Sequence, residues 1–350
     1  MLSLSIKQII TETADTKTFI FETGNNSKLS YKAGQFITIT LNRNGKELRR
    51  SYSLSTAPAF DDFTAFTLKQ VANGEVSRYL FRTITPGSVL HALEPGGRFT
   101  FENDIKEPRD IFLIAAGSGV TPVYSLLKQI LRTTTGHSIK LIMQNRNEKA
   151  VIFHDSLNHL AQEYSGNFKL ISYLSRPIDR HKKWRRLNNE ILEGIILDQM
   201  NFARNNARFY ICGPLSFMRM AEFTIRQMGF LPGQVKKEIF DVPRLPPPPF
   251  LIDPAPRVIR LSKQSTLAPG EHLPTIIPVS FPQSILEAVL LHQIKIPYSC
   301  KAGICGSCVV QCSSGEVKMK HNDVLTDEEV ASGLVLSCVG YAVTDITLNL

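Results

Sequence analysis

The sequence predicts a multidomain chain: an antiparallel all-β domain, then an α/β domain with a parallel sheet, then a small separate module. Three observations carry this. Short β-branched and aromatic runs broken by turns fill residues 1–105. Strand-like and helix-like segments alternate over residues 106–240. A proline-rich stretch at residues 241–256 then sets off residues 257–350. With 350 residues, 43% of them hydrophobic, the chain has material for two or three cores.

In the first region "TKTFIFET", "GQFITITL", "RSYSLS", "DDFTAFTLKQV" and "GRFTFEN" read as strands, and "GEVSRYLFRTI" alone reads as a helix. Many short strands with turn signals between them predict an antiparallel barrel or sandwich. In the second, "DIFLIAAG", "SIKLIMQN", "FKLISYLS", "ARFYICGP" and "QVKKEIF" are strands. "TPVYSLLKQILRTT", "FHDSLNHLAQEYSG" and "PLSFMRMAEFTIRQMG" are helices between them, the spacing of βαβ units. The boundary "DVPRLPPPPFLIDPAPR" holds four consecutive prolines, which neither pair in a sheet nor continue a helix and so predict an extended linker.

Composition narrows the function classes. No run of eighteen apolar residues is present, and "MLSLSIKQII" lacks a basic region followed by a long apolar core. Neither a membrane span nor a signal peptide is expected, and a cytoplasmic location follows. The net charge is +9, yet from Pro256 onward seven Lys or Arg face eight Asp or Glu, so the excess belongs to the first part of the chain. Those basic residues are scattered except for "RPIDRHKKWRR" at Arg176–Arg186, and no nucleic-acid-binding signature accompanies them. Small phosphorylated ligands therefore rank above nucleic acid as partners.

The final module concentrates its chemistry in "SCKAGICGSC", Ser299–Cys308. Its spacing is Cys300-x4-Cys305-x2-Cys308, with 29 residues between Cys308 and Cys338. That is the plant-type 2Fe–2S pattern. Two irons require four thiolates, and Gly303 and Gly306 suit a loop that wraps closely and offers backbone N–H groups to sulfur. Zinc is the alternative, although its second paired knuckle is missing; disulfides are unexpected without an export signal. Cys212 and Cys312 read as small buried hydrophobes. "SILEAVLLHQIKIPYSCKAGICGSC", "SGEVKM" and "VLSC" together resemble plant-type ferredoxin over the whole module, which implies a β-grasp (α+β) fold with Cys300, Cys305, Cys308 and Cys338 as cluster ligands. Gln293 departs from that family, which commonly has glycine there.

Upstream, "IAAGSGVTPVYSLL" puts Gly117 and Gly119 between a strand and a helix, where backbone approaches a pyrophosphate. Pro122 takes the last position of what would otherwise be a G-x-G-x-x-G match. In "RRSYSLS", Arg50 offers a bidentate partner for a diphosphate, Tyr52 a stacking ring and Ser53 a hydrogen bond to a ring nitrogen. Each alone is also what an ordinary strand or turn would show.

Arg50-Ser51-Tyr52-Ser53, "GSGVTP" and Cys212-Gly213-Pro214, in that order, resemble the ferredoxin–NADP reductase superfamily over residues 1 to about 240. The resemblance implies an antiparallel β-barrel that binds FAD and an α/β domain that binds NAD(P). By that likeness Arg50 meets FAD phosphate and Tyr52 and Ser53 meet the isoalloxazine. Gly74, Val76 and Ser77 lie near the diphosphate, with Lys69 close by. Thr121 and Cys212 line the nicotinamide site, and Phe240 of "KKEIF" lies against the flavin. Ser53, Thr121, Cys212 and Phe240 are thus the catalytic candidates. Ser175 and Arg176 stand where NADP-using members contact the 2′-phosphate, with Arg180, Lys182 and Lys183 adding charge. NADPH is the expected donor and NADH the alternative; Arg185 replaces a glycine common in this region. The domain order resembles reductase components of multicomponent oxygenases, in particular the reductase subunit of phenylacetyl-CoA epoxidase. This implies electron flow from NADPH through FAD and the cluster to a partner oxygenase. Rival acceptors are a desaturase, a steroid hydroxylase or a free-standing metalloprotein; the non-enzymatic rival is a zinc-binding module. Lys301 and Ala302 beside the cluster loop are the expected docking point.

Overall fold

The computed structural model describes residues 1–24, 29–43, 45–101, 107–133, 136–179, 185–240, 252–262 and 276–349. Two expectations fall largely outside these: most of the proline-rich linker, and the basic positions Arg180, Lys182 and Lys183. The chain forms two compact units, Met1–Asp241 and Val242–Leu350.

In the first unit, strands β1 (Leu2–Thr13), β2 (Thr16–Thr23), β3 (Phe36–Arg43), β4 (Lys46–Ser53), β5 (Thr64–Lys69) and β6 (Val89–Ala92) form one antiparallel sheet in the order β4-β3-β6-β1-β2-β5. Helix α1 (Glu75–Thr83) lies between β5 and β6 in sequence. A bridge between Leu54 and Phe66, and the Ser55 N–H donating to Ala65 O at 2.9 Å, join the two edge strands and close the sheet into a barrel. Its interior is aromatic, with Phe19 stacked on Phe66 at 5.1 Å and Phe21 tilted against it at 6.0 Å. The strand expected at "GRFTFEN" is not formed over its described part, residues 97–101. Phe99 and Phe101 are instead buried in the core of the α/β domain, where Phe99 meets Tyr210 edge-on at 5.7 Å. Alternate aromatics can bury themselves in a neighbouring core as well as on a sheet face. Strand β1 is not among the predicted strands; register shifts at Ile6/Gln8 and Thr11/Thr13 break its alternation.

The α/β domain contains β7 (Asp110–Ala116), β8 (Ser138–Asn145), β9 (Phe168–Leu174), β10 (Ala207–Cys212) and β11 (Val235–Glu238), all parallel, in the order β11-β10-β7-β8-β9. Helices α2 (Val120–Thr133), α3 (His154–Glu163), α4 (Asn189–Gln199) and α5 (Leu215–Gln227) connect them. Every residue of β7 is buried, as expected of a central parallel strand covered on both faces. Strand order reverses between β7 and β10, which opens a crevice at their carboxyl ends.

The second unit has β12 (Arg257–Leu261), β13 (Ile276–Val279), β14 (Val309–Ser314), β15 (Val317–Met319), β16 (Leu334–Leu336), β17 (Gly340–Ala342) and β18 (Ile346–Asn349). Five form a mixed sheet, β13-β12-β18-β14-β16, and β15 pairs with β17. Helix α6 (Ile285–Leu291) packs Ile285, Leu286, Ala288 and Val289 against Ile259, Ile277 and Leu348 of the sheet. Ser284 and Glu287 cap it reciprocally, at 3.3 and 2.9 Å. A second short helix, α7 (Asp327–Ala331), precedes β16. One helix laid across a mixed sheet is the β-grasp arrangement.

Candidate functional site

The cysteine loop runs between α6 and β14, and Cys338 follows β16. Because β16 pairs with β14, the distant cysteine is carried back to the loop. The buried Ser337 strengthens that return: its N–H and its hydroxyl both donate to Cys308 O, at 3.0 and 2.9 Å. The four thiols are neighbours in a row, Cys305 beside Cys300, Cys300 beside Cys338 and Cys338 beside Cys308. Cys300 and Cys308 are held below the usual thiol range by those neighbouring sulfurs, and Cys305 and Cys338 are pushed up in return. Among the described residues, no group of three or more His, Cys, Asp or Glu gathers around a single metal point. Four neighbouring thiols are a donor set that two metal ions can share.

The loop backbone is shaped for close wrapping. Lys301, Gly303 and Gly306 all have positive φ, at 53°, 76° and 71°. A Cβ on Gly303 would lie 2.6 Å from His321 O, so only glycine fits there. The Ala302 N–H donates to Cys300 Sγ at 3.3 Å, an amide–sulfur bond of the kind that tunes a thiolate cluster. The four cysteines and their amides fit a 2Fe–2S cluster.

On the barrel, Arg50, Ser51, Tyr52 and Ser53 lie on β4, whose alternation sends them to opposite faces. Arg50 is exposed and donates to Arg49 O at 2.7 Å. Ser51 Oγ bonds Thr38 Oγ1 at 3.0 Å. Tyr52 stacks on Phe66 at 5.8 Å, and burial pushes its phenol well above the usual range, so it stays a neutral donor. Ser53 is 3% exposed, and its Oγ is buried without a hydrogen-bond partner. Leaving a buried hydroxyl unpaired costs about 1–3 kcal/mol, so a ring nitrogen offered to Ser53 would remove a real penalty. The residues fit a flavin.

At α1, Gly74 is the N-cap, and a Cβ there would lie 2.3 Å from Ser77 Oγ. Ser77 is already engaged with the turn: its hydroxyl accepts from the Val71 N–H at 3.2 Å and lies 3.5 Å from Gly74 O. The Val76 side chain belongs to the barrel core, which leaves its backbone for any phosphate contact. Lys69 pairs with Asp15 at 3.3 Å.

The nicotinamide candidates gather at the strand-order reversal. Gly117 has φ 55°, and a Cβ on Gly119 would lie 2.2 Å from Cys212 O and 2.7 Å from Gly213 N. The turn after β7 therefore touches the end of β10, which brings Gly117, Gly119, Thr121 and Pro122 beside Cys212, Gly213 and Pro214. Thr121 is buried, with its hydroxyl donating to Ser118 O at 2.9 Å. Cys212 is fully buried, and burial pushes its thiol far up, so it stays a neutral thiol. Phe240 is 42% exposed just beyond β11.

Ser175 and Arg176 follow β9. Ser175 N–H donates to Asn145 O at 3.0 Å, Arg176 N–H to Arg146 O at 2.7 Å, and Arg185 N–H to Leu174 O at 2.9 Å. These bonds set three exposed arginines, 146, 176 and 185, on adjoining backbone at the ends of β8 and β9. Glu148 fastens the loop by accepting the Ile178 N–H at 2.8 Å. Sequence reading missed Arg146, whose neighbours here are distant in sequence. It also missed Asn145, buried at the end of β8 with both amide atoms unpartnered.

Comparison with known proteins agrees with this division. The family described as an oxidoreductase FAD-binding domain matches residues 3–101, the oxidoreductase NAD-binding domain matches residues 113–222, and the 2Fe-2S iron-sulfur cluster binding domain matches residues 271–343. The ferredoxin reductase component of 3-ketosteroid-9-alpha-monooxygenase from Rhodococcus rhodochrous is 32% identical over 98% of this chain and 94% of its own. A subunit of 1,2-phenylacetyl-CoA epoxidase from Escherichia coli is 28% identical over 98% and 95%. Phthalate dioxygenase reductase superposes with a TM-score of 0.60 at 22% identity, covering 99% of this chain and 97% of that one, which shows a shared fold. No described helix is long and apolar enough to cross a membrane. The chain belongs to the FAD-, NAD- and 2Fe–2S-binding electron-transfer reductases that serve multicomponent oxygenases.

Proposed function

We propose that the chain oxidises NADPH and delivers single electrons to the metal centre of a partner oxygenase, with the phenylacetyl-CoA epoxidase as that partner. The division of labour follows boundaries near residues 105, 240 and 257. FAD, when bound, supplies the conversion between a two-electron hydride donor and a one-electron acceptor. The chain's own residues do the positioning: Arg50 and the N-terminus of α1 hold diphosphate, Tyr52 and Ser53 orient the ring, and Gly117, Gly119, Thr121 and Cys212 shape the nicotinamide crevice. Cys300, Cys305, Cys308 and Cys338 hold the cluster, and Lys301 and Ala302 meet the partner.

The observation that carries NADPH over NADH is the trio Arg146, Arg176 and Arg185, whose guanidinium groups suit a dianionic 2′-phosphate. A second reading of the partner, the oxygenase of 3-ketosteroid 9α-hydroxylation, is favoured by the higher identity of that reductase, 32% against 28%. The test is reconstitution of the purified chain with each oxygenase component, scoring product formed per nucleotide consumed. Coupled epoxide formation supports the first reading. Steroid hydroxylation without epoxidation replaces it with the second.

A further inference from the structure

A group of buried polar side chains not used above converges on the seam between the barrel and helix α2. Lys128 Nζ lies 2.5 Å from Asp61 Oδ2, with side chains only 4% and 9% exposed. The same carboxylate oxygen accepts the Ala57 N–H at 2.6 Å. Ser125 Oγ donates to Thr56 O at 2.6 Å and accepts from Gly34 N–H at 3.1 Å. Gln129 Oε1 accepts the Ala59 N–H at 3.3 Å. Ser125, Lys128 and Gln129 are spaced i, i+3, i+4, so one face of α2 is fastened to the loop of residues 56–61.

A second set of contacts reinforces the seam. The Lys128 ammonium sits 4.4 Å from the Tyr124 ring centroid, and that ring stacks on Phe153 at 4.3 Å. Phe153 is held at φ 60°, a left-handed conformation that is costly for a bulky aromatic residue. Its N–H bonds the carboxylate of Glu12 on β1. Two domains thus spend directional bonds and a strained residue on one junction.

Apolar packing would hold two domains together as well, because a buried ion pair is a poor source of stability compared with hydrophobic residues of the same volume. What directional bonds add is a fixed angle. Both ends of this junction lie next to the redox site. Thr56 is three residues beyond Ser53, and Ser125 is four residues, about one helical turn, beyond Thr121. A short, stiff path therefore runs from Ser53 through Thr56, across to Ser125 and up α2 to Thr121.

We propose that Ser125, Lys128 and Asp61 are positioning residues that set the distance between the flavin ring and the nicotinamide. The proposal rests on Ser53 and Thr121 facing those two rings. Lys128→Met alone would leave the Asp61 carboxylate buried and unpaired, so the informative variants are Lys128→Met/Asp61→Asn, which removes both charges, and Ser125→Ala. Each is measured for FAD content, thermal stability, NADP⁺ dissociation constant, the rate of flavin bleaching at saturating NADPH, and amide exchange at Ala59. Gln129, the acceptor of the Ala59 N–H, is untouched in both, so exchange there reports loosening of the seam without activity as an intermediary.

The latch predicts full FAD content and an NADP⁺ dissociation constant within about twofold of the unaltered protein, with bleaching slowed about tenfold or more and faster exchange at Ala59. Variants that bleach at the unaltered rate overturn the latch alone, as does a loss confined to FAD content, stability or nucleotide affinity. An unaltered protein that neither NADPH nor NADH bleaches overturns the functional reading, and the latch's role falls with it.

Discussion

The cluster loop and the nicotinamide crevice solve their tasks differently. In the loop, three thiols and the glycines that shape it come from nine consecutive residues, and one strand pair returns the fourth. In the proposed crevice, the candidate lining comes from the ends of four strands, joined by backbone contacts such as Gly119 against Cys212 and Arg176 against Arg146. Damage to the loop should therefore be local and complete, because each of the four proposed ligands would be irreplaceable. Damage to the crevice should be graded, because the work is divided.

The largest expected effect comes from the loop. Cys305→Ser should abolish reduction of cytochrome c while leaving flavin bleaching by NADPH near its original rate. Cytochrome c reduction at full rate would mean that electrons bypass the cluster. Next is Gly119→Ala, whose new methyl group would be driven into Cys212 O at 2.2 Å. The turn must then move, and a shift of about 1 Å at a reacting centre costs on the order of a hundredfold, so flavin bleaching by either nucleotide should fall by that order. FAD content should be preserved, because the barrel is untouched.

A smaller and more selective effect is expected at the arginines. Arg176→Ala combined with Arg146→Ala should raise the KM for NADPH by about tenfold to a hundredfold, the range expected from lost charge-assisted hydrogen bonds, with the KM for NADH nearly unchanged. Equal losses for both nucleotides would place these residues elsewhere than at a 2′-phosphate. The smallest effect concerns Gln293, which has φ 60°. Gln293→Gly should stabilise the 2Fe–2S domain by about 1 kcal/mol, since the left-handed conformation costs a side-chain-bearing residue about that much. Thermal melting of the holoprotein would register it.

These two regions were also unequally legible in the sequence. The spacing of Cys300, Cys305 and Cys308 identifies a cluster loop because its chemistry demands those residues at short range. Gln293, a departure from the ferredoxin pattern, gains a physical meaning only from its backbone angle. The parallel sheet was legible because helices and strands alternate with different hydrophobic periods. Strand β1 was not, since its bulges break the alternation. "GRFTFEN" carried a strand-like pattern that the fold spends on burying Phe99 and Phe101 across a domain junction. Arg146, Asn145 and the Lys128–Asp61 pair were invisible because each depends on a partner many residues away.

The most direct test of the account is an absorption spectrum of the purified protein, followed anaerobically during titration with NADPH and separately with NADH. The account predicts flavin bands overlapping iron–sulfur absorption, both bleached, with NADPH effective at lower concentration than NADH. A protein with flavin but no iron or sulfide after anaerobic preparation, or one whose iron–sulfur absorption persists after the flavin is reduced, would contradict it.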